Sequence, residues 1–223
     1  MGEEKERYAK PKGIKKWIEH FWYYYKFYAI VAVVLAVSVA TGIAQCASKP
    51  KYDYRLVIST ALAQLSTAQI NALQNKLLQY ADDYNKDGSI NVRLINCTYN
   101  EGKSDYNIVM AQKQKLQSIL MNENDVLLFI TDQKSYEWIN SIRKDGFMED
   151  LSLSKEDPRR FELTNSQFYA SAKQDAPKEW VWPEKLYISQ RIVSGTLIEN
   201  KPETKDELSK NQNFLNKLIE QNK

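Results

Sequence analysis

Histidine, cysteine, glycine and proline are all scarce in this chain of 223 residues. There is one His, at position 20, and there are two Cys, at positions 46 and 97. These counts exclude a disulfide-stapled scaffold, a Cys-rich metal domain, and any His-based zinc site or catalytic triad beyond position 20. The 7 Gly and 6 Pro exclude collagen-like and Gly/Pro-rich low-complexity chains. No P-loop, G-x-S-x-G or G-x-G-x-x-G motif is present, so we expect no cofactor, and an enzyme is the least expected class of function.

Charge is absent from positions 28–48 and balanced in the chain that follows. Residues 1–27 contain seven Lys or Arg and four Asp or Glu, so the whole formal net charge of +3 lies in that segment. Because phosphate contacts need a basic surface, the neutral remainder predicts that there is no nucleic-acid partner.

The uncharged stretch predicts a transmembrane helix over residues 27–48. Its 22 residues, FYAIVAVVLAVSVATGIAQCAS, can cross a bilayer core as a helix. Upstream, the segment KKWIEHFWYYYK supplies aromatic rings of the kind that favour the lipid headgroup layer. The Lys residues on that side predict that residues 1–26 are cytoplasmic, that residues 49–55 are a linker, and that residues 56–223 form an extracytoplasmic domain. We therefore expect a single-pass protein of the cell membrane, with the membrane as its first partner.

The fate of the apolar segment has three possible outcomes. Retention as an anchor is favoured because the run is longer than the usual apolar core of a signal peptide. Cleavage is possible near Gly42 and Ala44, and lipidation is possible at Cys46, where Ile43 to Cys46 resembles a lipobox except that Gln45 is not small. Cys97 follows a strand-like pattern and is expected to be a buried free thiol.

Beyond the linker, short apolar runs alternate with helical patterns. Strands are predicted at 56–58, 90–94 and 126–130, and a further strand at 185–194. Ser66 with Gln69 forms a predicted capping box that opens the first helix, and Thr204 with Glu207 forms a second at the last helix. This alternation predicts an α/β fold, a three-layer αβα domain with a mostly parallel sheet, in which the continuous run at 126–130 is the central strand.

The segment QKQKLQSILMNENDVLLFITDQKSYEWINSIRKDGFMEDLS resembles part of the first lobe of extracytoplasmic solute-binding proteins of ABC transporters. The features that carry the resemblance are a helix, a strand ending near Asp132, a short helix, Gly146, and the pair Asp150 and Leu151. The terminal NQNFLNKLIE is similar to a late helix of the same family. The resemblance implies a binding module, but the predicted external part of about 175 residues has room for only one lobe.

A ligand of such a module is expected at the carboxyl ends of the parallel strands. The residues that would line this edge are Thr60, Asn96, Asp132 and Gln133. Trp180 and Trp182 flank Val181 and would share one face if extended, as a ligand or partner surface; the alternative is a loop packed on the core.

Residues 83–91 match the first half of a calcium loop. Side-chain oxygens would come from Asp83, Asn85 and Asp87, and a backbone carbonyl from Ser89. The twelfth position, which should be a bidentate carboxylate, is Leu94, so the alternative is a plain turn at the end of a helix.

The sequence thus predicts a membrane-anchored binding module for a small solute or peptide. The alternative is an interaction or scaffold protein of the cell envelope whose partner is another protein and which has no small-molecule ligand.

Overall fold

The computed structural model describes residues 13–47, 51–177 and 180–222. The chain divides into two compact units at the boundary between Pro50 and Lys51. The mixed α/β character that the sequence predicts is confirmed, together with one apolar helix near the N-terminus.

In the first unit, the described residues 13–47 form a single helix, α1 (Ile14–Ala47). Its stretch Trp17–Ile43 is 27 residues long, entirely unburied, and long and apolar enough to cross a membrane. At 1.5 Å per residue this stretch measures about 40 Å, more than the hydrocarbon core of a bilayer. The helix is longer than the predicted 27–48 because the aromatic residues before position 27 are helical too. Their rings stack at four-residue spacing, with centroid distances of 5.7 Å for Trp17 and Phe21 and 5.3 Å for Phe21 and Tyr25.

Over its described residues, 51–177 and 180–222, the second unit contains five strands and five α-helices. They are β1 (Tyr54–Ser59), α2 (Thr67–Leu77), β2 (Val92–Asn96), α3 (Tyr106–Asn122), β3 (Val126–Thr131), α4 (Gln133–Ser141), β4 (Phe161–Glu162), α5 (Gln167–Gln174), β5 (Tyr187–Gln190) and α6 (Glu203–Glu220). A short 3₁₀ turn, Leu78–Tyr80, continues α2.

The sheet has the strand order β2-β1-β3-β5-β4. Strand β1 pairs in parallel with both β2 and β3, as the alternation of strands and helices predicts. Strand β3 is buried along its whole length, which confirms the central strand predicted at 126–130.

Strand β5 departs from the prediction of a mostly parallel sheet, because it pairs antiparallel with both β3 and β4. The sheet is therefore mixed. The physical reason lies in the connection between β4 and β5. Strand β4 has only two residues, and after the eight-residue α5 the chain returns to the same edge of the sheet at which β4 ends. The chain consequently enters β5 from that edge and runs in the opposite direction.

Side chains of the central strands alternate between two apolar clusters. Leu56 and Ile58 of β1 pack with residues of α2, α5 and α6, whereas Val57 packs with residues of α3 and α4. Every residue of β1 from Leu56 to Ile58 is inaccessible to solvent. A strand that contributes to two cores must be apolar at consecutive positions, which explains the continuous apolar runs in the sequence.

Two capping boxes were predicted, and one is confirmed. The Ser66 side chain accepts a hydrogen bond from the Gln69 backbone, and the Gln69 side chain accepts one from the Ser66 backbone. The prediction at Thr204 was wrong. Helix α6 begins at Glu203, after Pro202, and the Thr204 hydroxyl donates to the Ile198 carbonyl at 2.7 Å.

Candidate ligand-binding site

The carboxyl ends of β1, β2 and β3 lie at one edge of the sheet, as parallel pairing requires. Because β1 lies between β2 and β3, the connection after β1 runs along the sheet in one direction, and the connection after β2 returns past β1 in the other. Ligands of open α/β sheets bind in the crevice at such a switch point. Here that crevice lies between the residues that follow β1 and those that follow β3.

A cavity of about 360 Å³ occupies this position. Its walls are Leu62 and Ala63 after β1, Asp132 and Gln133 after β3, and the segment 181–185 that leads into β5. We call it the switch-point crevice. A second cavity, of about 240 Å³, shares Ala63 and Val181 with the crevice and adds polar residues from the loop after β2. The two cavities therefore adjoin along one apolar ridge.

Asp132 lies in the crevice wall, and its carboxylate also holds this edge of the sheet together. Asp132 is the N-cap of α4, and its Oδ1 accepts a hydrogen bond from the Ser135 backbone N–H at 2.8 Å. Oδ2 accepts hydrogen bonds from the backbone N–H groups of Ala61 at 2.8 Å and Leu62 at 2.9 Å. The residue is only 2% exposed. The carboxylate thus fixes the loop after β1 against the start of α4 and so sets the width of the crevice.

Thr60 and Asn96 lie at the predicted edge, but the crevice does not include them. The Thr60 hydroxyl is buried and donates to the Ala63 carbonyl. The side-chain oxygen Oδ1 of Asn96 accepts hydrogen bonds from the backbone N–H of Thr98 at 2.9 Å and from the Thr98 hydroxyl at 2.7 Å. Both side chains shape the loops that follow their strands.

Gln133 lies in the wall of the crevice, and Arg160 orients its amide. Oε1 of Gln133 accepts a hydrogen bond from Nη1 of Arg160 at 2.6 Å. The guanidinium of Arg160 in turn lies over the rings of Tyr136 and Tyr187, at 4.5 and 4.1 Å from their centroids, and pairs with Asp157 at 3.0 Å. Arg160 is therefore a positioning residue that the sequence did not reveal.

Trp182 lines the crevice, whereas Trp180 does not. The Trp182 ring packs edge-on against Tyr169, with centroids 5.6 Å apart, and the Tyr169 hydroxyl donates to the Pro183 carbonyl at 2.6 Å. Burial raises the pKa of Tyr169, so its hydroxyl stays protonated and keeps this hydrogen bond. Both predicted roles, a loop packed on the core and a ligand or partner surface, are compatible with Trp182, since it packs on the core and also forms part of the crevice wall.

Val181 is the wall residue that sequence reasoning missed. Its side chain is 75% exposed and lies between the two cavities, while its carbonyl accepts a hydrogen bond from Gln69 Nε2 at 3.1 Å. In the sequence, the pattern of an apolar residue between two Trp indicates a role for the two rings but none for the residue between them. Glu184 and Lys185, also missed, give the wall one charge of each sign.

The loop at 83–91 satisfies its oxygens internally. Asp83 accepts from the backbone of Asp87 and Gly88, Asn85 accepts from Asp87, and Asp87 accepts from the hydroxyl and backbone of Ser89. The Ser89 contacts lower the pKa of the Asp87 carboxyl. Within the described ranges no three His, Cys, Asp or Glu side chains are grouped as a metal would require. Calcium binding at this loop stays a prediction.

The two cysteines of the chain are Cys46 and Cys97. Cys97 is a free, fully buried thiol, as predicted, and burial raises its pKa to about 11. The side chain of Cys46, with its predicted lipidation, lies outside the described residues.

No protein-family model matches the chain, and neither curated proteins nor solved structures give a significant match.

Proposed function

We propose that the chain is a single-pass membrane-anchored binding module whose α/β domain takes a short peptide or an amino-acid-like solute in the switch-point crevice. The proposal assigns no catalytic activity. We also propose that the α/β domain is related to one lobe of the solute-binding proteins. In this proposal the N-terminus is cytoplasmic and the α/β domain is extracytoplasmic.

The position and chemistry of the crevice carry this proposal. Besides the Asp132 carboxylate, which is engaged with backbone N–H groups, the wall offers a carboxylate, an ammonium group and an amide, from Glu184, Lys185 and Gln133. These groups lie beside the apolar surface of Leu62 and Trp182. A peptide or amino acid carries the matching groups: an ammonium, a carboxylate, hydrogen-bonding amides and apolar side chains. A cavity of about 360 Å³ is at the small end of the range for ligand sites, which favours a few residues of peptide over a larger ligand.

The finer architecture supports the same proposal. The distribution of β1 side chains between two apolar clusters favours a three-layer domain, with helices on both faces of the sheet. Such a domain leaves the carboxyl edge of its parallel strands open to ligands. The length and apolarity of Trp17–Ile43 support an anchor, and the upstream Lys residues support the cytoplasmic placement of the N-terminus.

Binding in a crevice formed by one domain is expected to be weak, on the order of 0.1–1 mM, because no second lobe covers the ligand. A ligand at ten times its Kd stabilises the fold by about 1.4 kcal/mol. For a domain of this size that corresponds to roughly 3–6 °C in Tm. A panel of amino acids and di- and tripeptides at 10 mM should therefore contain members that raise the Tm of the full chain in phosphatidylcholine nanodiscs, whereas 0.1 mM should leave it unmoved.

The matched variants are Val181→Asp, at the crevice wall, and Ile90→Asp, at an exposed apolar residue before β2. Val181→Asp should abolish the ligand-dependent shift, and Ile90→Asp should preserve it. If no panel member shifts the Tm at 10 mM, or if both variants keep the shift, the crevice is not a solute site.

The second candidate function is an envelope interaction protein without a small-molecule ligand. One observation favours it: the exposed ridge of Val181 lies between two adjoining cavities, so an extended segment of a partner could cover both. In that case the panel leaves the Tm unmoved at 10 mM, and crosslinking in membranes from a photoreactive group at position 181 yields a protein adduct that the same group at position 90 does not.

A further inference from the structure

Arg191 is a fully buried cation that uses only one of its three side-chain nitrogens as a hydrogen-bond donor. The residue follows β5 and is inaccessible to solvent. Its Nη1 donates to the carbonyls of Ile119 at 3.3 Å and Leu120 at 3.0 Å, in the last turn of α3. Among the described residues, Nε and Nη2 have no hydrogen-bond partner. A buried polar group without a partner is costly, so this arrangement requires an explanation.

The carboxylates near Arg191 are already engaged. Glu123 and Asp125 contribute to the electrostatic environment of Arg191, but each forms an ion pair with Arg55 at 2.6 Å. Burial lowers the pKa of Arg191 to about 10, which leaves the guanidinium protonated at neutral pH. The cation therefore retains a fixed charge and three unused N–H bonds, one on Nε and two on Nη2.

Arg191 contributes to the wall of a cavity of about 410 Å³, which shares no lining residue with the switch-point crevice. Apart from Arg143 and the turn that contains Gly195 and Thr196, the wall is apolar and consists of Leu120, Met121, Ile142, Phe147, Leu197 and Ile198. None of the lining residues is acidic. The nearby Glu199 accepts from the Gly195 backbone at 2.8 Å, which engages that carboxylate with the turn.

We propose that this cavity binds an amphipathic carboxylate, with the carboxylate on Nε and Nη2 of Arg191 and the hydrocarbon body against the apolar wall. Nε and Nη2 form one edge of the planar guanidinium, and two parallel N–H groups match the two oxygens of a carboxylate. The bonds from Nη1 to α3 hold that edge in a fixed orientation. The cavity has room for roughly a dozen water-sized groups, which matches a carboxylate with a chain of about eight carbons.

Entry requires a local movement, because Nε and Nη2 are buried although Arg191 contributes to the cavity wall. The turn in the same wall carries Leu197, which is 82% exposed and so loses little packing when it moves. The backbone of this turn is held by hydrogen bonds of 3.2 Å, from Thr196 to Val193 and from Glu199 to Thr196. The site is separate from the switch-point crevice and does not depend on the function proposed there.

Equilibrium dialysis of radiolabelled octanoate against the full chain in phosphatidylcholine nanodiscs tests the proposal, with binding to empty nanodiscs subtracted. We expect one saturable site per chain with a Kd no weaker than about 1 mM. Octanol has the same body without the charge, and acetate has the charge without the body; both should fail to displace octanoate. Octyl phosphate that displaces octanoate at concentrations tenfold lower would overturn the assignment to a carboxylate.

Three variants locate the site. Leu197→Glu places a negative charge at the mouth, where the exposed side chain is not needed for folding, and should weaken octanoate binding at least tenfold. Arg191→Lys keeps the charge but removes the two-donor edge, and should weaken it similarly if the variant folds. Val181→Glu makes the same kind of change at the crevice and should leave octanoate binding unchanged. Absence of saturable binding in the wild type, or equal effects of Leu197→Glu and Val181→Glu, would overturn the proposal.

Discussion

Removal of the Asp132 carboxylate should destabilise the domain far more than removal of an ordinary helix cap. Asp132→Ala removes a carboxylate that accepts three backbone hydrogen bonds, from Ala61, Leu62 and Ser135, at 2.8 to 2.9 Å. A hydrogen bond to a charged group contributes about 1.5–3 kcal/mol, and such terms are not additive when they share an acceptor. Because the three N–H groups are left without this acceptor at a buried position, we expect a loss of about 3–5 kcal/mol in the free energy of unfolding.

The chain provides a matched control in Asp105. This residue caps α3 and accepts one hydrogen bond, from the Asn107 backbone at 2.8 Å, but it is exposed. Asp105→Ala should therefore cost only about 1 kcal/mol, the usual contribution of a helix cap. Asp132→Asn keeps the shape but converts one acceptor oxygen to a donor, so its effect should lie between those of the two alanine variants.

Thermal unfolding of the full chain in nanodiscs, followed by near-UV circular dichroism, measures the difference. At roughly 2–4 °C per kcal/mol, Asp132→Ala should lower the Tm by roughly 6–20 °C and Asp105→Ala by less than about 5 °C. Equal shifts for the two variants would refute the role assigned to Asp132, since the carboxylate would then act as a simple cap.

Further expectations concern the core, the thiol, the loop and the membrane. Phe129→Ala, in the fully buried β3, should cost about 2–5 kcal/mol in chemical denaturation, and a loss below about 0.5 kcal/mol would contradict a central position. Because burial raises the Cys97 pKa to about 11, iodoacetamide should modify the Cys46→Ser variant at pH 8 only after unfolding; rapid alkylation of the folded chain would count against this. Calorimetry should detect no calcium binding tighter than about millimolar, and micromolar binding that Asp87→Ala removes would prove this wrong. External protease on intact cells should digest the chain after position 50 and spare residues 1–25; protection of the domain would reverse the orientation.

The parallel half of the sheet could be predicted because its signals are local. The apolar run at 126–130 and the Ser66 capping box specify their own conformations, and strand alternation then determines the edge where Asp132 lies. The role of Asp132 could not be predicted in the same way. A carboxylate after a strand can face a ligand or accept backbone N–H groups, and the choice depends on where the chain after β1 turns.

The antiparallel half depends on contacts between distant segments. The direction of β5 follows from the edge of the sheet at which the chain enters the strand at Tyr187, which no local pattern encodes. Val181 becomes a crevice wall only because Leu62 and Ala63, more than a hundred positions earlier, lie opposite it. Thr204 shows the converse, since its motif satisfies the capping rule but the helix begins at Glu203, two positions before the start that a cap at Thr204 would give.

The two ends of the sheet bear on how copies of the chain behave when they are crowded in a bilayer. An unpaired strand edge is a template for a strand of another molecule, and confinement to a surface raises the rate of such encounters. Strand β4 offers only two residues as a template. At the other end, β2 carries Arg93, exposed and stacked over the Tyr52 ring at 5.4 Å, so an incoming strand would meet a charged side chain. We therefore expect neighbouring copies to remain separate at high surface density instead of growing into a continuous sheet.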